Sequence, residues 1–183
     1  MLIAVVGPSG AGKDTLMAGA RARLAGDRRF LFVRRAITRP AEAGGEAHAA
    51  MTREAFVRAR GADAFALWWE AHGLLYGIPR AIEAAMTEGR VVVANLSRGV
   101  LGEAATRYRL RVLEITASPA ARAARLAARG REDAADRAAR ATRIMELPPG
   151  ITVTTILNDG SVEQGIEAVL AVLTLAAEDA RRS

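Results

Sequence analysis

The segment Gly7-Pro8-Ser9-Gly10-Ala11-Gly12-Lys13-Asp14-Thr15 constrains this chain more than any other, because it dictates what must flank it. Met1-Leu2-Ile3-Ala4-Val5-Val6 reads as a short buried strand, and Asp14 to Leu24 reads as a helix. A glycine-rich loop between a strand and a helix N-terminus gathers backbone N–H groups into an anion nest. In that context G-x-x-x-x-G-K is a P-loop, which cradles nucleotide phosphates. Of the 26 Lys and Arg residues only Lys13 is a lysine. The choice has a chemical reason: guanidinium is a wide planar fork, whereas ammonium is a compact charge on a thin stem that reaches bound phosphates. Gly7 to Thr15 are therefore read as a nucleoside triphosphate site, with Lys13 expected to stand exposed in the empty loop.

Asp14 stands where a Ser or Thr hydroxyl normally touches Mg²⁺. A carboxylate facing triphosphate oxygens is repelled unless a cation lies between them, and Mg²⁺ accepts carboxylate oxygens readily. Asp14 is therefore a candidate metal ligand, directly or through water. An acid in the first helical turn is also favoured by the helix dipole, which needs no metal.

At 183 residues and 51% hydrophobic content the chain suffices for one domain with a substantial core. It has no cysteine, so disulfides and thiolate metal sites are excluded. The first strand runs straight into the loop, which argues against a signal peptide, and no apolar run is long enough to span a bilayer. A cytoplasmic protein is the expectation. The formal charge of +6 raises nucleic-acid binding. Against it, the arginines are scattered along Ala-rich helices (Arg122, Arg125, Arg129, Arg137, Arg140, Arg143) and aromatics make up only 4%, too few for a stacking surface. Arg122 and Arg125 are expected on a solvated helix face. A small polyanion is the better partner for concentrated arginine.

Further along, Phe30-Leu31-Phe32-Val33 opens an extended run ending near Ile37, and Thr38 to Ala50, with Pro40, Gly44 and Gly45, reads as a loop. Thr52 is a plausible N-cap for a short helix. Ala64 to Glu70 is extended, with Trp68 and Trp69 on opposite faces, and Pro79 is expected to start a helix ending at Gly89. Arg90 to Asn95 and Leu110 to Thr116 read as strands buried on both faces. Helices are expected from Pro119 to about Arg129, from Asp133 to about Glu146 and from Val162 to Ala180, with a last strand at Ile151 to Leu157. Regular alternation predicts an α/β fold with a parallel sheet and right-handed crossovers.

Several clusters lie outside this alternation: Ile37-Thr38-Arg39 with Gly45-Glu46, Trp69 to Ile78, Arg129-Gly130-Arg131, and Asn158-Asp159. Together with the P-loop, their spacing resembles the guanylate kinase family over nearly the full chain. Guanylate kinase itself is a poor fit. Ala41 to Ala43 replace a second acceptor-binding arginine, His48-Ala49-Ala50-Met51 replace an Asp-Tyr element, and the guanine-reading acid falls at Leu67. The closer likeness is to the ribose 1,5-bisphosphate phosphokinases, phosphonate-utilisation enzymes that make 5-phosphoribosyl 1-diphosphate. It is carried by Gly12-Lys13-Asp14, Ile37-Thr38-Arg39, and Trp69, Ala71, Gly73, Leu74, Tyr76 and Gly77. Asn95, Ser97-Arg98, Arg129-Gly130-Arg131-Glu132 and Asn158-Asp159-Gly160-Ser161 complete it. His72 departs, standing where an amide is more usual.

The resemblance implies a three-layer P-loop kinase fold over residues 1–183 with a central parallel sheet, an acceptor-binding insertion at about 34–80 and an Arg-rich lid at about 129–140. It implies ATP and Mg²⁺, a phosphorylated sugar as partner, and Asn158 near the adenine side. Lys13, Arg129, Arg131 and Arg140 become the catalytic candidates. Arg39 leads the acceptor contacts, followed by Glu46, Tyr76, Asn95 and Arg98. The chemistry agrees: a hydroxyl acceptor usually needs a positioned base, whereas a phosphate acceptor is already ionised, and no Asp-x-Asp follows the second strand. A nucleoside monophosphate kinase is the alternative enzyme. A non-catalytic guanylate-kinase-like binding module is the alternative of another class, against which the lysine and the lid arginines speak. Oligomeric state is not legible in these residues.

Overall fold

Every residue of Leu2–Val6 (β1) is buried, as only a strand covered on both faces can be. Its side chains alternate between two cores. Ile3 and Val5 face Leu16 and Ala20 together with Ile166, Val169 and Leu173, whereas Leu2, Ala4 and Val6 face Ile82, Ala85, Leu101 and Ala104. In this computed structural model residues 1–41, 46–127 and 149–182 are described. The remaining strands are Phe30–Phe32 (β2), Ala36–Ile37 (β3), Ala49–Ala50 (β4), Phe65–Ala71 (β5), Leu74–Pro79 (β6), Val91–Asn95 (β7), Leu110–Thr116 (β8) and Thr152–Leu157 (β9). The helices are Lys13–Arg23 (α1), Arg53–Gly61 (α2), Ile82–Thr87 (α3), Leu101–Arg107 (α4), Pro119–Ala127 (α5) and Val162–Arg181 (α6).

The central sheet runs β2-β7-β1-β8-β9, parallel throughout, with α1 and α6 on one face and α3 and α4 on the other. This is the expected α/β architecture. The expected cap at Thr52 forms, its Oγ1 accepting from Ala55 N at 3.1 Å, and Ser161 with Gln164 makes a reciprocal capping box at α6. Among the described residues no helix is long and apolar enough to cross a membrane.

The second, smaller sheet, β4-β3-β6-β5, departs from the sequence expectation in three ways. The extended run from Phe30 to Ile37 is broken: β2 pairs with β7 in the central sheet, and β3 pairs with β6 in the other. The residues expected as one loop contain β4. Pro79 ends a strand instead of starting a helix, pairing with Phe65 at the hairpin's far end, where its missing N–H is tolerated. Of the two tryptophans Trp69 is buried, while Trp68 is outside under the Arg60 guanidinium, 4.6 Å from its ring centroid. Leu67, Trp69 and Ile78 enter the same core as Leu2 and Ala4, so the small sheet shares one of the two main cores.

Candidate active site

The loop after β1 holds its shape through close approach. A Cβ at Gly7 would stand 1.9 Å from the Ile115 carbonyl oxygen, and Gly7, Gly10 and Gly12 all take positive φ. Asn158 supports the loop from behind: buried, it donates from Nδ2 to Ala11 O at 2.8 Å. Arg125 ties both pieces together, donating to Asn158 O at 2.8 Å, and Arg122 Nε reaches Ser9 O at 3.2 Å. These two arginines are thus not a solvated face. α5 packs against the loop and turns them onto the Ser9 and Ala11 carbonyls.

Lys13 is not exposed either. Its Nζ folds back to donate to Gly7 O at 2.8 Å and Pro8 O at 3.0 Å. Burial holds the ammonium below a lysine's ordinary pKa; Asp14 opposes this, while Arg35 and Arg98 add to it. That balance places Asp14, Arg35, Arg98 and Glu46 all in the electrostatic neighbourhood of the loop lysine.

Arg35 and Arg98 follow the carboxyl ends of β2 and β7, where ligands of open α/β sheets bind, while Asp14 is in the first turn of α1 and Glu46 precedes β4. Asn95 ends β7, and its Nδ2 donates to Glu46 Oε2 at 2.9 Å and to Asp14 Oδ1 at 3.3 Å. Arg98, in the short 3₁₀ turn after β7, pairs with Glu114 of β8 at 2.8 Å. Glu46 is gripped from the other side by Arg35. A cleft of about 840 Å³ between α1 and the end of β2 is lined by Asp14, Met17, Arg21, Phe32, Glu46 and Asn95, but not by Lys13, Arg35, Arg39, Tyr76 or Arg98. Among the described residues Asn95 Oδ1, Arg98 Nε and Arg39 Nε are buried without a hydrogen-bond partner, as are the Nε atoms of Arg80 and Arg90 away from this site.

The other acceptor candidates lie on the small sheet. Tyr76 stacks on Trp69 with ring centroids 5.3 Å apart. Thr38 Oγ1 accepts from Leu75 N at 2.8 Å, holding the end of β3 against β6. Arg39 Nη2 lies 3.3 Å from Nδ1 of the buried His48, whose Nε2 is 3.0 Å from Arg39 O. Nδ1 also lies 3.0 Å from Glu46 O, so the two ring nitrogens bridge the Glu46 and Arg39 carbonyls. His48 is therefore the knot of the acceptor loop, a role that its place in a polar stretch of sequence does not announce. Arg35 is the residue sequence reasoning missed. Its signal was position: an arginine leaving the carboxyl end of the second strand. The lid candidates Arg129, Arg131 and Arg140 lie outside the described residues.

No protein-family model matches the chain. In fold it is similar to the guanylate kinase of Anaplasma phagocytophilum, with a TM-score of 0.70 at 17% identity, covering 96% of this chain and 86% of that one. In sequence it is 43% identical over 175 residues to ribose 1,5-bisphosphate phosphokinase PhnN of Rhizobium etli, covering 94% of this chain and 89% of the relative. The corresponding enzyme of Pseudofrankia inefficax is 48% identical over 176 residues, covering 96% and 91%. The bifunctional ribose 1,5-bisphosphokinase-thymidine phosphorylase of Azorhizobium caulinodans is 47% identical over 171 residues, and there this chain spans only 25% of the relative's length. Near-complete coverage at these identities, on a guanylate-kinase-like fold, means that the chain belongs to the ribose 1,5-bisphosphate phosphokinase family.

Proposed function

We propose that this protein transfers the γ-phosphoryl group of ATP to the 1-phosphate of ribose 1,5-bisphosphate, releasing ADP and 5-phosphoribosyl 1-diphosphate. The observation that carries the reading is the chemistry of the acceptor side. Around Asn95 it offers arginines, carboxylates and unpartnered polar atoms, while Leu67, where a purine-reading acid would stand, is 0% exposed inside the core. Such a surface suits phosphates and sugar hydroxyls.

A phosphate oxygen of the acceptor attacks the γ-phosphorus and the bond to the ADP oxygen breaks. The nucleophile is already ionised, so no side chain need remove a proton, and catalysis rests on positioning and charge. Loop N–H groups and Lys13 hold the β- and γ-phosphates once Nζ leaves the Gly7 and Pro8 carbonyls. Mg²⁺ bound with the nucleotide would neutralise charge on the transferring group. Asp14 suits it as a hard oxygen ligand, and its Oδ1 accepts from Asn95 Nδ2. Arg39, Arg98 and Tyr76 are assigned to the acceptor, and Glu46 to its ribose hydroxyls. Arg129, Arg131 and Arg140 are assigned to the transition state on sequence resemblance alone.

An ADP-release assay with ATP against ribose 1,5-bisphosphate, GMP and AMP tests the reading. Turnover of the sugar bisphosphate is expected. GMP should be disfavoured by one to two orders of magnitude, because an unpaired buried polar group costs about 1–3 kcal/mol. Efficient GMP phosphorylation with none of the bisphosphate would make it a nucleotide kinase.

A further inference from the structure

Arg35 leaves β2 toward β3, and its side chain is only 16% exposed. Its guanidinium carbon lies 5.6 Å from the Trp69 ring centroid and 5.1 Å from that of Tyr76. Contact with aromatic rings fixes a cation without saturating its hydrogen bonds. Both nitrogens that it uses go to one oxygen, Glu46 Oε1, from Nε at 2.7 Å and from Nη2 at 2.5 Å. A guanidinium fork matches an anion that presents two oxygens to it, yet the second oxygen, Oε2, is turned to Asn95. Asn95 in turn spans two carboxylates with a single amide nitrogen, and its own carbonyl oxygen has no partner among the described residues. Like charges gathered on one donor are unfavourable without a compensating group. A continuous chain of contacts runs from Asp14 through Asn95 and Glu46 to Arg35.

We propose that Arg35 sets acceptor choice by holding the acceptor phosphate that is not phosphorylated, and that Glu46 fills its fork only until that phosphate arrives. The inference rests on the functional reading above and adds to it which residue takes the 5-phosphate. Groups suited to each part of the substrate lie along this chain of contacts. The reacting 1-phosphate belongs beside Asp14 and Lys13, the ribose beside Asn95 and Glu46, and the distal phosphate at Arg35. A phosphate presents more charge and more oxygens than the single carboxylate oxygen that it replaces. Glu46, once released, is free to accept from ribose hydroxyls, and Asn95 Oδ1 gains a donor from the same sugar. Trp69 and Tyr76 keep the guanidinium in place through the exchange, so little ordering is needed on binding.

The test uses the full chain as wild type, Arg35→Gln and Arg35→Lys. It compares two half-substrates, ribose 5-phosphate and ribose 1-phosphate, by calorimetry and as inhibitors of bisphosphate turnover. Arg35→Gln should weaken ribose 5-phosphate, and raise KM for the bisphosphate, by about 30-fold, the value of a charge-assisted bond. Ribose 1-phosphate affinity and KM for ATP should stay within about threefold. Arg35→Lys, which keeps the charge without the fork, should recover part of the loss, and decides the matter if Arg35→Gln does not fold. Equal losses for both half-substrates would reduce Arg35 to a support for Glu46, and an unchanged ribose 5-phosphate affinity would remove it from the site. Failure of the wild type to turn over the bisphosphate would sink the functional reading instead, while calorimetry with ribose 5-phosphate still judges Arg35.

Discussion

At the scale of single residues, Lys13 shows how far a motif carries and where it stops. The sequence identifies the residue and its ligand, but not that its ammonium is folded onto the Gly7 and Pro8 carbonyls. That depends on the depth of the loop, which only tertiary packing sets. Because burial lowers its pKa, the charge is lost at a lower pH than that of a free lysine, whose ordinary value is 10.5. The protonated form attracts phosphate, so kcat/KM for ATP should fall as pH rises, with a midpoint below 10.5. kcat should hold to higher pH, because bound phosphates favour the ammonium. A pH series of both parameters checks this. Asp14 gives a second expectation. If its carboxylate serves the metal, Asp14→Asn should raise the apparent Mg²⁺ requirement, and Asp14→Ser should do so less than Asp14→Ala. A Mg²⁺ titration in which Asn and Ala variants match the wild type would leave Asp14 as an ordinary first-turn helix acid. Arg35, Arg39 and His48 were the harder residues to read. Which of two nearby arginines pairs with Glu46, and which is tied to a histidine, depends on a chain reversal that no periodicity records.

Among the elements, the central strands were legible because burial on both faces leaves β-branched runs such as Val91-Val92-Val93. The small sheet was not. Two-residue strands such as β3 and β4 carry no periodicity, and α4, with Gly102 inside it, lacks a strong helical signal. The β5–β6 hairpin explains the odd His72. Ala71 pairs with Leu74, leaving a two-residue turn in which His72 and Gly73 have φ of 55° and 70°. Positive φ at both positions is the type I′ requirement, which favours Asn-Gly. A left-handed residue with a full side chain costs about 1–2 kcal/mol, and Asn recovers part of that. His72→Asn should therefore raise the melting temperature by a few degrees with kinetics unchanged, and His72→Val should lower it. Differential scanning calorimetry separates the two.

For the molecule as a whole, the shared core matters most. Leu67 lies on the small sheet but packs with residues of the central one and is 0% exposed. The sequence marked it as an acid lost from a purine pocket; the structure makes it a joint between the two sheets. Restoring an acid there should not create a nucleotide kinase. Leu67→Asp should unfold the chain, since an unpaired buried carboxylate is far costlier than the cavity of Leu67→Ala, itself about 2–5 kcal/mol. Chemical denaturation of both variants, beside a GMP assay, checks the order. The half-hidden loop lysine has a last consequence at this scale. A protease that cuts only after lysine has a single target in all 183 residues, and in the folded chain that bond sits where the loop enters α1. Digestion with such an enzyme therefore reports, from one band becoming two, how often the nucleotide cradle comes undone.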